Sequence, residues 1–245
     1  MPAFMYCAAQ PKGRETALGT VASMAADNRV ALRDVTVRYG RRVALEAVSG
    51  EFLPGSLTAV VGANGAGKST LLAAIAGTVR LAAGSVHRPR AQRLAYLPQL
   101  TALNTDYPLT VQELITLGAW RDIGISGAPD AALRARITTA AATVGLQDRQ
   151  HRRIGELSAG ELQRALFARL ILQDAAVILL DEPFAAVDAQ TISVLLDQVV
   201  RWHQEGRSVI AVLHDLALVR ANFPTTLVLA HRCVAWGATE TALAA

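Results

Sequence analysis

Apolar and polar residues alternate in two stretches, "RVALRDVTVRYG" and "AVSGEFLPGSLTAVVG", and this period of two predicts a small β-rich platform. The second stretch runs into an unbroken apolar segment, Leu57 to Val61, then a glycine-rich turn and a helix-forming segment, Ser69 to Ala76. "GSVHRPRAQRLAYLPQ" holds two further strand-like pieces and ends at Gln99. From about Leu100 to Ile154 the pattern changes. These residues are alanine-rich and arginine-bearing, their period is helical, and turn clusters fall at "GISGAPD" and "VGLQDRQH". This block reads as a helical insertion, a subdomain at about 100–160. "ELSAGELQRALFARL" then sets Leu162, Leu166 and Leu170 on one helix face. "AAVILLDEP" and "RSVIAVLHD" are continuous apolar runs with polar ends, the pattern of buried parallel strands whose C-terminal ends meet a site. The tail from about Thr225 carries one more strand, "TLVLAH", and a short closing segment. No internal repeat is visible, and the alternation of strands with helices predicts an α/β fold.

Composition agrees with that reading. With 52% hydrophobic but only 5% aromatic residues, the chain is rich in the aliphatic side chains of buried parallel strands and packed helices. Its 245 residues suffice for one α/β domain carrying an inserted subdomain. No apolar run approaches the roughly 18 residues of a membrane-spanning helix, so the chain is not expected to cross a bilayer. A net charge of +4 is mild, and the arginines are scattered without interleaved aromatics, which reads as solvated faces and no nucleic-acid partner. Cys7 and Cys233 have no paired spacing, so a disulfide framework is not expected and a reducing compartment is. The histidines are mutually isolated, and no structural metal is expected. Residues 1–28 lack a periodic pattern and a secretory apolar core; a disordered extension is expected there, with Met24 as a candidate translation start.

The chemistry begins at the glycine-rich turn, Gly62, Ala63, Asn64, Gly65, Ala66, Gly67, Lys68, Ser69, Thr70. Gly-x4-Gly-Lys-Ser between a strand and a helix is a phosphate cradle: the glycines let successive N–H groups converge on phosphate oxygens at a helix N-terminus. Lys68 adds a charge on the outer phosphates, and Ser69 offers a hydroxyl to magnesium. Asp181 and Glu182 close the later apolar strand, at a separation compatible with a strand adjacent to the phosphate loop. Asp181 suits the water shell of magnesium, an ion that prefers hard oxygen ligands, and Glu182 suits orienting an attacking water. Ser158 and Glu161 have capping-box spacing, which by itself explains both residues.

Together these segments resemble the nucleotide-binding subunit of an ABC transporter, over nearly everything from Val30 to about Gly237. "GANGAGKST" resembles the Walker A loop and "VILLDEP" the Walker B strand. "LSAGE" resembles the signature motif Leu-Ser-Gly-Gly-Gln and departs from it at Ala159 and Glu161. Tyr39 in "VRYG" matches the aromatic that stacks on adenine, Gln99 in "YLPQ" the glutamine that reaches magnesium and water, Asp188 in "AAVD" the loop that crosses to a second subunit, and His214 in "VLHD" the switch histidine.

The resemblance implies a P-loop NTPase (RecA-like) core at 29–240, with an N-terminal antiparallel β subdomain and the inserted helical subdomain. It implies ATP hydrolysis with Mg2+ at a homodimer interface, where Ser158, Ala159, Gly160 and Glu161 cap the nucleotide held by the partner's phosphate loop. It also implies integral membrane permease subunits, a separate substrate-binding protein and a position on the cytoplasmic face of the inner membrane. "LPQLTALNTDYPLTVQELITLG" and "EPFAAVDAQT" look most like the ATPases of zinc and manganese importers. ATPases of iron–siderophore and cobalamin importers share the frame but more often lack the Asp-aromatic-Pro element. A soluble ABC ATPase acting on DNA or ribosomes usually carries a coiled-coil insertion or two cassettes, and an exporter module is disfavoured by the single cassette.

Overall fold

In the computed structural model the described residues are 29–89, 93–100, 107–124, 128–185 and 187–245. The extension expected at 1–28, the candidate start at Met24, and Asp106 of the importer-like stretch lie outside them.

Two sheets face one another. Strands β1 (Val30–Tyr39), β2 (Arg42–Phe52) and β4 (Ala83–His87) form an antiparallel sheet in the order β2-β1-β4. The two alternating stretches fall in β1, β2 and β3 (Leu57–Val61), with β2 beginning earlier, at Arg42. The platform draws its third strand from beyond the first helix. A six-stranded sheet runs β5 (Leu94–Leu97), β6 (Val177–Asp181), β7 (Ser208–Val212), β3, β8 (Thr225–Ala230), β9 (Arg232–Ala238). Its first five strands are parallel, and β9 pairs antiparallel with β8. Every residue of β3, β6 and β7 is buried, which is why each is apolar on both faces.

Two departures from the sequence reading stand out. The closing segment is a strand: Arg232–Ala238 turns back on β8 through His231, whose φ of 59° makes the tight reversal. β9 is an edge strand with weak alternation, so its identity comes from the partner beside it. The second concerns β6. It was expected beside the phosphate-loop strand, but β7 lies between β3 and β6.

One core lies between the sheets. It is built on Val35, Leu45 and Phe52 of the antiparallel sheet, Leu71, Leu72 and Ile75 of helix α1 (Lys68–Ala76), and Val60, Leu179 and Ile210 of the parallel sheet. The other lies on the opposite face. There α5 (Ala159–Gln173) and α6 (Ala189–Gln204) cover the parallel sheet, with Phe167 stacked on Trp202 at 5.7 Å between ring centroids. The helices α2 (Val111–Thr116), α3 (Trp120–Ile123) and α4 (Ala131–Thr143) fall within the stretch read as helical, and α2 and α4 pack on α5. Helices α7 (Leu216–Asn222) and α8 (Thr239–Ala242) complete the chain. Among the described residues no helix is long and apolar enough to cross a membrane.

Candidate active site

Four parallel strands, β5, β6, β7 and β3, end on the same side, and the polar residues that follow them converge, as expected at the carboxyl edge of an open α/β sheet. After β3 the chain turns sharply into α1. Gly62 (φ 153°) packs so closely on β8 that a Cβ there would stand 2.1 Å from the Leu229 carbonyl oxygen. Gly67 (φ 97°) caps α1, and a Cβ there would stand 2.4 Å from the Ala44 carbonyl oxygen. Larger residues are therefore excluded from both positions by space as well as by backbone angle. Ala66 ties the loop down: its carbonyl accepts from the His231 N–H at 2.9 Å, and its own N–H donates to the Ala63 carbonyl at 3.1 Å.

Lys68 is only 6% exposed and donates through Nζ to the carbonyls of Gly62 (2.8 Å) and Ala63 (3.0 Å). Burial lowers the pKa of its ammonium, and the carboxylates of Glu182 and Asp181 oppose that shift. Ser69 Oγ donates to Asp181 Oδ1 at 3.0 Å, across the intervening β7. The contact exists because α1 packs against β6, which brings its first turn over the end of that strand. Asp181 is 2% exposed; burial raises its pKa, the Ser69 hydroxyl opposes, and the Glu182 charge adds to the rise. Beside it the Tyr96 phenol is pushed up to about 12, by burial first and then by the charge of Asp181 and a hydrogen bond to it.

Glu182 sits in the left-handed region at φ 51°, an uncommon setting for a residue with a Cβ. Its N–H donates to the Val212 carbonyl on β7 at 3.2 Å, which fixes the turn out of β6. The side chain is thereby held between two others: Gln99 Nε2 donates to Glu182 Oε2 at 2.8 Å, and His214 Nε2 lies 2.7 Å from Glu182 Oε1. All three residues, with Tyr39, Asn64, Gly65, Gly67, Lys68, Ser69 and Thr70, line one cleft of about 630 Å³, within the range of small-molecule sites. Tyr39 also lines it and is 53% exposed, an aromatic side chain left largely open.

The cleft does not contain Ser158, Ala159, Gly160, Glu161 or Asp188. Ser158 is the N-cap of α5: its Oγ accepts from the Glu161 N–H at 3.2 Å, and the Glu161 carboxylate accepts from the Ser158 N–H at 3.0 Å. The negative charge at Glu161, where the resembled motif has glutamine, is thus turned onto its own helix start, with Arg149 at 3.8 Å. Asp188 caps α6 by accepting from the Thr191 N–H and hydroxyl, both at 2.8 Å. These two helix starts are neighbours, since a Cβ on Gly160 would stand 3.6 Å from Asp188 Oδ2.

Sequence reasoning missed two residues here. Arg42 lines the cleft beside the Gly65 turn of the phosphate loop, and Tyr96 backs Asp181 from β5. Arg42 was accessible in principle, because "YGRR" is a tight hairpin that pairs it with Tyr39. Tyr96 carried no signal beyond strand alternation.

The sequence pattern of the ABC transporter family matches residues 45–185. The manganese transport system ATP-binding protein MntB of Bacillus subtilis (strain 168) is 34% identical over 217 residues, spanning 86% of this chain and 87% of that protein. The zinc transport system ATP-binding protein TroB of Treponema pallidum (strain Nichols) is 36% identical over 219 residues, spanning 87% and 82%. Among solved structures, an ATP-binding subunit of an ABC transporter superposes with a TM-score of 0.74 at 25% identity, covering 86% of this chain and 90% of that one. The chain belongs to the ABC transporter family, as an ATP-binding subunit that hydrolyses ATP.

Proposed function

We propose that this subunit drives uptake of a divalent metal ion, manganese or zinc, through a separate membrane permease. The names of its similar relatives support the metal, since they are manganese and zinc transport ATP-binding proteins. The observation that carries the site assignment is the convergence of Ser69, Gln99, Glu182 and His214 from four strand ends onto one cleft, with Asp181 buried and hydrogen-bonded to Ser69.

In this reading Tyr39 stacks on adenine. The N–H groups of 62–70 and Lys68 hold the phosphates, with developing charge met by donors already in place. The donors near Ser69 fit magnesium: the hydroxyl, the Asp181 carboxylate and the amide oxygen of Gln99 are hard oxygen ligands. Magnesium bound with ATP neutralises phosphate charge. Glu182 orients the attacking water and takes up its proton, held in place by Gln99 and His214.

The signature face lies outside the cleft of its own chain, which supports a second copy closing the site. Two chains related by a two-fold axis each bring Ser158, Ala159, Gly160, Glu161 and Asp188 to the nucleotide of the other, making two sites from one kind of interface. Closing on ATP and opening after hydrolysis is the stroke passed to the permease, on the cytoplasmic face of the membrane, with a separate protein capturing the metal. Uptake of radioactive manganese and zinc in cells lacking this chain, with and without plasmid-borne wild type or Glu182→Gln, tests the proposal. The deletion should abolish uptake of one of the two ions and only wild type should restore it; normal uptake of both would overturn the assignment.

A further inference from the structure

The cleft has a wall that the strand ends do not supply. β1 ends at Tyr39, β2 begins at Arg42, and Gly40 (φ 59°) and Arg41 turn the chain between them. Tyr39 and Arg42 are direct antiparallel partners, so their side chains leave the hairpin side by side. Tyr39 and Arg42 both line the cleft, and Arg41 does not. Arg42 Nη2 lies 3.3 Å from where a Cβ on Gly65 would stand, so the guanidinium leans over the turn of the phosphate loop.

Among the described residues no carboxylate pairs with that charge. Arg93 is met by Asp122, and Arg207 by Asp174 and Glu205, but none of the ion pairs among the described residues includes Arg42. A guanidinium offers five N–H donors in a planar fork that matches phosphate oxygens two at a time. Facing a cleft read as a triphosphate site, it gains a phosphate partner when nucleotide binds. Its position selects which phosphates it meets. Lys68 Nζ sits at the carbonyls of Gly62 and Ala63, the start of the loop, whereas Arg42 enters from the Tyr39 side, where the base stacks.

We infer that Arg42 is a nucleotide-binding residue whose guanidinium grips the inner phosphates of ATP and ADP, clamping them between the Tyr39 hairpin and the Gly65 turn. The inference rests on the reading of this cleft as the ATP site. ATP and ADP share the inner phosphates, so the two nucleotides should lose affinity equally when Arg42 is removed.

Titration calorimetry of the full chain with magnesium and ADP, or with magnesium and a non-hydrolysable ATP analogue, tests this. Arg42→Ala should weaken both ligands by about tenfold or more, the scale of a lost charge-assisted hydrogen bond. Arg42→Lys should recover part of the loss, since it keeps the charge and loses the fork. Arg41→Ala removes the same charge from the same turn and should stay within about twofold of wild type. Because Arg42 is exposed and in no ion pair among the described residues, its alanine variant should unfold at the wild-type temperature without ligand and show a smaller rise on adding ADP. Arg42→Ala binding like wild type, an equal loss in Arg41→Ala, or a loss confined to the ATP analogue would each overturn the inference. Wild type that binds neither ligand would instead sink the reading of the cleft itself.

Discussion

The cleft and the start of α5 are both polar, but they are built in opposite ways. In the cleft, hydrogen bonds join residues 112 apart (Ser69 and Asp181), 83 apart (Gln99 and Glu182) and 32 apart (Glu182 and His214). At the start of α5 the bonds join residues three apart and satisfy each other. The first arrangement exists only when the whole sheet is assembled; the second forms with one turn of helix. A long-range cluster gathers charged and polar groups around a buried carboxylate, Asp181, and stores chemistry. A closed local pair stores none until another surface is brought against it. The two regions are joined through Gln163 of α5, whose buried amide donates to the Pro183 carbonyl at 2.7 Å, next to Glu182. Movement of the helix start therefore bears on the turn that aims Glu182.

Substitution at the centre of the long-range cluster should have the largest effect. Glu182→Gln keeps the shape but removes the carboxylate that the proposed function assigns to take the proton, so on that proposal turnover should fall by about 10²–10⁴-fold with nucleotide still bound. Phosphate release and nucleotide binding on the same sample check this, and unchanged turnover would remove Glu182 from its role. The same variant with ATP, weighed by light scattering, should gain mass as a dimer. Lys68→Ala comes next. Losing one or two charge-assisted bonds should weaken ATP binding by about 10 to 150-fold, measured by calorimetry.

These expectations show what the sequence carries and what it does not. The apolar runs of β3, β6 and β7, the glycine spacing at 62–67 and the capping box at Ser158 were readable because each is a local demand: full burial, a backbone angle, an orphan N–H. Strand order was not, since nothing in "VILLDEP" says that β7 will separate it from β3. The left-handed backbone of Glu182 was hidden too, because side-chain-bearing residues seldom adopt it and here the bond to Val212 imposes it. Arg42 became visible only when the hairpin folded it over Gly65.

Stability should separate the two regions in sign. Asp181 has its pKa raised in the folded chain, so its charge opposes folding: its contribution is best at low pH and is lost as pH rises from the unfolded pKa through the folded one. Asp181→Asn should therefore raise the unfolding midpoint of nucleotide-free protein at neutral pH, by roughly 2–4 °C for each kcal/mol relieved, while turnover falls. Ser158→Ala should do the reverse. The lost cap costs about 1 kcal/mol, and the midpoint should drop by roughly 2–4 °C. A calorimetric scan in which both variants move the same way would break the distinction drawn between stored and closed polar groups.

The smallest expected effect is the most pointed. Glutamine serves a capping box as glutamate does, so Glu161→Gln should leave the neutral-pH midpoint within about 1 °C of wild type. The pH profile should still differ. Glu161 has its pKa lowered, first by the Ser158 N–H, against a lesser cost of burial, and further by the Ser158 hydroxyl and the charges of Arg149 and Arg152. A carboxylate with a lowered folded pKa contributes stability above its unfolded pKa and loses it as pH falls through the folded one. Wild type should thus lose a little more midpoint than Glu161→Gln on acidification below the ordinary glutamate range, and the two curves should run parallel above it. Parallel curves throughout would mean that the carboxylate is not engaged at the helix start. Its charge would then face whatever docks on that surface, and Glu161→Gln should raise turnover instead of leaving it near wild type.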